Sequence, residues 1–293
     1  MHWPKSLNNK INRFEKLRDH TTFKIGGLAR YFLKASNLRQ LQDALIFARK
    51  KRIRVFILGS GSNILASDSG VNGLVIKLNS PGFKELRIKG RFIDAGSAMK
   101  LNQLILRAKD QSLAGLEFLS GIPGTLGGAL MGNAGAWGSQ IGELVEEIRV
   151  LDYNGKIKLL KKQQLKFSYR KSNLSKYIIL SARLKLRLAK KEVIMQKIKQ
   201  YLKQRGKTQE NSLPNAGCIF KNPKNLAAGK LIEECGLKLR RAGQAIISRV
   251  HANFILNMAK AKSKDVLSLM KLARKEVKRR FKVELKPEIN LWK

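Results

Sequence analysis

Leu38, Leu41, Leu45 and Ala48 recur at helical spacing and predict an amphipathic helix. The short apolar-rich run Ile53 to Leu58 follows and reads as a strand, as does Gly73 to Leu78. Residues 1–22 are polar and basic, which predicts a loosely held arm. From about residue 83 to 190 the pattern is mostly that of strands, at Arg91 to Ala95, Val145 to Leu151, Lys156 to Leu160 and Tyr177 to Leu186. Asp152-Tyr153-Asn154-Gly155 between two of them carries a hairpin turn signal. One helix interrupts, with Leu101, Leu104, Ile105 and Ala108 on one face. In the last third, Ile194, Ile198 and Leu202 mark a helix, and Ala227 to Cys235 a second, ended by Gly236 at the C-cap. Gln244 to Ser248 and Asn253 to Asn257 read as strands. Val266, Leu269, Met270, Ala273 and Val277 form an apolar stripe on a basic helix. There is no internal repeat, and composition shifts near 80 and near 190.

The chain has 293 residues, of which 43% are hydrophobic, so it buries ample core without disulfides or a metal. Cys218 and Cys235 form neither a disulfide framework nor a CxxC pair, which fits a reducing compartment. No apolar run reaches the roughly 18 residues of a membrane span. The N-terminus lacks the apolar stretch of a secretory signal. A cytoplasmic location is expected. The net charge of +40 is the one extreme property. Basic patches attract nucleic acid, anionic lipid or phosphorylated substrates, but here the basic residues are spread along most of the chain, as on a solvated surface.

Two glycine-rich stretches carry candidate chemistry. Gly59-Ser60-Gly61-Ser62-Asn63 follows a strand directly. Its permissive glycines can turn backbone N–H groups around an anion. It is neither a dinucleotide GxGxxG nor a P-loop. The stretch Gly121 to Gly138 holds seven glycines in eighteen residues and has no simple period. Such a density suits backbone that approaches a flat or phosphorylated ligand closely.

Several motifs in order resemble one family. They are Thr22-Phe23-Lys24-Ile25-Gly26-Gly27, Leu58 to Leu65, Gly121-Ile122-Pro123-Gly124 through Gly128, and Asn133-Ala134-Gly135-Ala136. Phe167 to Ser172, Asn215 to Pro223, His251-Ala252-Asn253-Phe254 and Leu285-Lys286-Pro287-Glu288 complete the set. Over Thr22 to Glu288 the chain resembles the UDP-N-acetylenolpyruvoylglucosamine reductase family, in its shorter type. The resemblance implies an α+β protein: an FAD-binding domain of the vanillyl-alcohol-oxidase (PCMH) type in two lobes, residues 1–80 and 81–190, and a C-terminal α+β substrate-binding domain, residues 191–293. FAD would be held noncovalently. Gly59, Ser60, Gly61, Ser62 and Asn63 fall on the family's FAD-contacting segments. So do Gly121, Ile122, Gly124, Thr125, Gly128, Asn133, Ala134 and Gly135.

In that family NADPH reduces the flavin, and hydride then passes to the enolpyruvyl ether of UDP-N-acetylglucosamine, giving UDP-N-acetylmuramate for peptidoglycan. The step needs a cation or acid near the pyruvyl carboxylate and a proton donor at the adjacent carbon. Arg170 matches the catalytic arginine, whose fork suits a carboxylate. Glu288 matches the C-terminal glutamate that stabilises the enolic intermediate. Cys218 stands where most members have the proton-donating serine, and a thiol, with a pKa of about 8.5, is the stronger acid. By the same resemblance Tyr169, Arg205, Lys221 and Asn222 bind substrate, Lys221 at the diphosphate. Glu210 replaces the family's usual proline, which puts the local loop shape in question. His251 is expected to be structural, hydrogen-bonded near the sheet, and not catalytic.

Two other readings differ in class. One keeps the flavin fold but runs an oxidase or dehydrogenase reaction of the wider superfamily, which does not share Cys218 to Asn222 and Glu288. The other is a basic nucleic-acid-binding protein. With aromatics at 7% and no recognition motif, no specific nucleic-acid partner is expected. No metal site is expected from three scattered histidines. The expected partners are the UDP-sugar and NADPH, with no membrane insertion and a monomeric state.

Overall fold

A computed structural model describes residues 3–78, 80–210 and 212–293. The chain divides into two compact units. The first comprises Tyr31–Gly59 and Gly73–Arg205 with the N-terminal residues up to Arg13. The second comprises Phe14–Arg30, Ser60–Asn72 and Gly206–Lys293.

In the first unit, helix α1 (Leu38–Lys50) starts at Asn37, whose side chain accepts the Gln40 N–H at 2.9 Å. Its apolar face, Leu41, Ala44, Leu45 and Ala48, packs in one core with Leu33, Leu74 and Ile76. Leu7 is fully buried in that core, and a strand runs over Ile11–Lys16. The described part of residues 1–22 is therefore ordered structure rather than a loose arm. Burying a side chain such as Leu7 contributes about 1.5–3 kcal/mol toward ordering the segment. Strands Arg54–Leu58 and Val71–Leu78 pair in parallel, from Arg54 opposite Gly73 to Leu58 opposite Lys77. Gly59 thus leaves the C-terminal end of a strand.

The larger core of this unit is a five-stranded antiparallel sheet. Its order is Ile157–Lys161, Val145–Asp152, Tyr177–Lys185, Phe92–Gly96, Leu86–Lys89. The hairpin at 152–155 is closed by Asp152, whose Oδ1 accepts the Asn154 and Lys156 N–H groups, each at 2.9 Å. Helices α2 (Leu101–Asp110), α3 (Leu126–Met131) and α4 (Lys191–Thr208) bury apolar residues in the same core. Gly121 to Gly138 shows no simple period, yet α3 forms inside it. Thr125 is its N-cap, accepting the Gly128 N–H at 3.4 Å, and Leu126, Ala129 and Leu130 are buried. The break between the units falls at Arg205 because Ile194 and Ile198 of α4 belong to the first unit's core.

The second unit has a four-stranded antiparallel sheet in the order Asn215–Cys218, Phe254–Asn257, Ala245–Ile247, Arg241–Ala242. Helices α5 (Ala228–Glu234) and α6 (Ser263–Phe281) share its core. The stripe Val266, Leu269, Met270, Ala273 and Val277 is buried there. Asp68 holds the start of α6, accepting the Ser263 N–H and hydroxyl, each at 2.8 Å. Strand Asn290–Trp292 pairs in parallel with Ile64–Ala66. No helix among the described residues is long and apolar enough to cross a membrane.

Candidate active site

Within the first unit Gly59, the stretch from Gly121 to Gly138 and Arg170 are brought together. A Cβ on Gly59 would lie 2.9 Å from the Thr125 hydroxyl, and one on Gly127 would lie 3.0 Å from the Ser97 Cβ. Backbone and hydroxyls here approach more closely than any larger residue allows. Gly124 accepts the Leu101 N–H at 3.1 Å, and Ile122 donates to Leu119 at 3.0 Å, which pins the segment to its surroundings. Gly121 has φ +76°, and a Cβ there would press on the Arg205 side chain at 2.6 Å. Arg205 therefore lies across the glycine-rich stretch.

Asn133, 2% exposed and with φ +44°, locks the far end of that stretch. Its Nδ2 donates to the Ser168 carbonyl at 2.9 Å, and its Oδ1 accepts the Gly142 N–H at 3.0 Å. Ala134 accepts the Ile141 N–H at 2.9 Å. Ser168 precedes a tight turn, Tyr169-Arg170, between the paired strands Phe167–Ser168 and Lys171–Ser172. Arg170 takes φ +52°, a conformation that costs a residue with a Cβ about 1–2 kcal/mol. Its Nη1 donates to the Gly135 carbonyl at 2.9 Å, and its guanidinium lies 5.5 Å from the Tyr169 ring centroid. Residues 35 apart in sequence thus hold this arginine in one place.

The second unit gathers Ser60 to Asn63, Cys218, Lys221, Asn222 and Glu288. Thr22 joins two of these segments: its N–H donates to Gly61 at 3.2 Å and its hydroxyl to the Asn215 carbonyl at 2.7 Å. Asn215 Oδ1 accepts the Gly217 N–H at 2.9 Å, and Gly217, φ +73°, turns the strand that ends at Cys218. Cys218 is partly buried and packs against the apolar cluster of Ile246, Phe254 and Leu256. An antiparallel bridge then joins Phe220 to Pro287. The Glu288 N–H donates to Ile219 at 2.8 Å and the Lys221 N–H to Lys286 at 2.9 Å. This bridge brings the segment that follows Cys218 alongside Glu288. Asn222 Oδ1 accepts the Ala228 N–H at 3.0 Å, so this amide also anchors the start of α5. Among the described residues no cluster of His, Cys, Asp or Glu could hold a metal ion.

An FAD-binding-domain family matches residues 29–161, and the C-terminal domain of UDP-N-acetylenolpyruvoylglucosamine reductase matches 208–292. The chain is a flavin-binding protein joined to a reductase-type C-terminal domain. A UDP-N-acetylenolpyruvoylglucosamine reductase of Desulforamulus reducens is 42% identical, over 97% of this chain and 94% of the relative. UDP-N-acetylenolpyruvoylglucosamine reductase 2 of Symbiobacterium thermophilum is 39% identical, over 97% and 92%. The crystal structure of the reductase from Thermus caldophilus superposes with a TM-score of 0.84 at 34% identity, covering 97% of this chain and 99% of that one. The chain belongs to the UDP-N-acetylenolpyruvoylglucosamine reductase family.

The first unit fits the flavin nucleotide. The hydroxyls of Ser97 and Ser120, 4% and 3% exposed, have no hydrogen-bond partner among the described residues. Buried polar groups of this kind cost free energy unless something satisfies them. Both lie beside the close-packed glycine backbone, Ser97 against Gly127 and Ser120 next to Gly121. Neither serine was singled out from the sequence, where a lone serine carries no signal apart from its burial.

Proposed function

We propose that the chain reduces the enolpyruvyl ether of UDP-N-acetylglucosamine to UDP-N-acetylmuramate, with noncovalent FAD and with NADPH as reductant, acting as a cytoplasmic monomer without a nucleic-acid partner. The observation that carries this reading is the bridge joining Ile219–Lys221 to Lys286–Glu288. It ties the backbone just after Cys218 to the backbone around Glu288, which supports the two acting at one substrate.

Bound FAD supplies the hydride, and the residues that would hold it are Gly59 to Asn63, the segment Gly121 to Gly135, and the hydroxyls of Ser97, Ser120 and Thr125. The remaining work falls to the chain itself. Arg170 binds the pyruvyl carboxylate and stabilises charge as it develops there. Its side chain is already ordered by Gly135 and Tyr169, so little freedom is lost on binding. Glu288 hydrogen-bonds the enolic form. Cys218 gives its thiol proton to the carbon bearing the ether oxygen, while the neighbouring terminal carbon receives hydride; one C=C bond is lost and two C–H bonds form. Tyr169, Arg205, Lys221 and Asn222 contribute binding, the cations toward the diphosphate. The first unit makes up most of the flavin domain and the second the substrate domain.

An anaerobic titration tests the proposal. The purified protein shows flavin absorbance that NADPH bleaches, and the enolpyruvyl ether restores it with formation of UDP-N-acetylmuramate. Absence of bound flavin after FAD is supplied would overturn the reading. So would bleached flavin that the ether does not reoxidise in either the native or the Cys218→Ser protein.

A further inference from the structure

His251 takes no part in the chemistry above, yet it sits at the root of the bridge. Its Nδ1 accepts the backbone N–H of Asn253 at 3.2 Å. A ring nitrogen that accepts is unprotonated, so the neutral ring carries its proton on Nε2. The ring is fixed on two other sides. It packs 4.9 Å from the Phe254 ring, and a Cβ on Gly229 of α5 would lie 2.8 Å from its Cε1. The buried Ser248 hydroxyl accepts the His251 N–H at 3.2 Å.

What His251 holds is Asn253, which is 2% exposed. The Asn253 carboxamide makes a two-way pair with Phe220, accepting its N–H at 2.9 Å and donating to its carbonyl at 2.8 Å. The Asn253 carbonyl also accepts the Ile219 N–H at 2.8 Å. Ile219 in turn accepts the Glu288 N–H. Three bonds therefore run from one asparagine to the two residues after Cys218, and a fourth passes on to Glu288.

We propose that His251 is a positioning residue for the reaction: by accepting the Asn253 N–H it sets the Asn253 clamp, and through it the placement of Cys218 and Glu288. This rests on the reading of Cys218 and Glu288 given above. The clamp works only with a neutral ring. Burial pushes the His251 pKa below its ordinary 6.5, outweighing a hydrogen bond to its own backbone that favours the charged ring; Lys238 lowers it further while Glu233 opposes. These are the charged groups that act on the ring, from α5 and the residues just beyond it, and they are paired with each other. Protonation would place a second proton on Nδ1 and remove the acceptor. The clamp is therefore intact near neutral pH and is lost as pH falls below the ordinary histidine range.

The test compares His251→Ala with His251→Asn in the full-length, FAD-loaded protein. The asparagine Oδ1 can accept where Nδ1 does and does not titrate. Flavin bleaching by NADPH stays at the native rate in both. Reoxidation by the enolpyruvyl ether falls by up to about 100-fold in His251→Ala, the scale of a small misplacement of reacting groups, and largely recovers in His251→Asn. Alkylation of Cys218 by iodoacetamide, read by peptide mass spectrometry, changes in His251→Ala and reverts in His251→Asn. That arm needs no substrate, so it still decides the proposal if the native protein fails to turn over the ether. Native alkylation and reoxidation in His251→Ala, or an equal defect in His251→Asn, overturns the proposal. If His251→Ala does not fold, the pH profile decides. The native reoxidation rate has an acid limb below 6.5 that His251→Asn lacks, and identical limbs in the two proteins overturn it.

Discussion

The side-chain amide of Asn63 donates to the Glu288 carbonyl at 3.3 Å, and the Asn63 carbonyl accepts the Asn290 N–H at 3.0 Å. A glycine-rich loop residue and the region of the proposed catalytic carboxyl are thus tied across 225 positions of sequence. The tie reaches the Glu288 backbone, so it fixes where the Glu288 segment lies.

Asn63→Ala removes one partly buried hydrogen bond, worth about 1 kcal/mol. The expected fall in Tm is about 2–4 °C for a chain of this size. Thermal melting of the native and variant proteins at one concentration checks this.

Arg170→Lys keeps the charge but loses the planar fork and with it the paired geometry for a carboxylate. Reoxidation by the enolpyruvyl ether should fall by about 100-fold or more, as for loss of one preorganised donor. Bound flavin and its reduction by NADPH should be unchanged. Stopped-flow traces of the two half-reactions separate these effects.

Cys218→Ala deletes the proposed proton donor and should lower the ether-driven step by about 100- to 10,000-fold. Cys218→Ser puts a hydroxyl donor at the same place and should recover most of the rate. An alanine variant that reoxidises at the native rate would mean the proton comes from elsewhere.

Gly61→Ala forces a side chain into φ +68° with its Cβ 2.1 Å from the His20 carbonyl oxygen. Strain of this kind costs about 1–3 kcal/mol before the clash is counted. A lower melting midpoint and weaker FAD retention on gel filtration are expected.

Asp152 is held as a carboxylate by the Lys156 N–H, then by Lys158 and the Asn154 N–H, which together lower its pKa below 3.8. A depressed carboxylate contributes stability that is fully present above its unfolded pKa and is lost as pH falls through the folded value. Asp152→Asn should therefore melt earlier than the native protein near neutrality, and the gap should close in acid. Melting curves taken from about pH 6 down to about pH 2 test the sign.

Regular elements were legible where one period ran uninterrupted. The stripe from Val266 to Val277 predicts α6, and all five of its residues are buried. Asp152 to Gly155 predicts its turn because that turn is built from local side-chain contacts. Helix α3 was not legible, since its glycines hide the period while Leu126, Ala129 and Leu130 still find a core. The order of the N-terminal segment rests on single residues such as Leu7, whose burial depends on partners far along the chain. In the site, motifs marked the residue types, but the bond of Arg170 to Gly135 and the clamp of Asn253 on Phe220 exist only after distant segments meet. The burial of Ser97 and Ser120 is likewise a property of the fold.

The parallel pairing of Asn290–Trp292 with Ile64–Ala66 also has a consequence in time. A ribosome makes Ile64 more than two hundred residues before its partner. Throughout most of synthesis the loop at Asn63 lacks the strand that will hold it, and a chain stalled before residue 290 cannot complete that pairing. The growing polypeptide must keep its early apolar strand shielded for many seconds, at roughly 5–20 residues added per second, which leaves this segment open to mispairing until its partner is made.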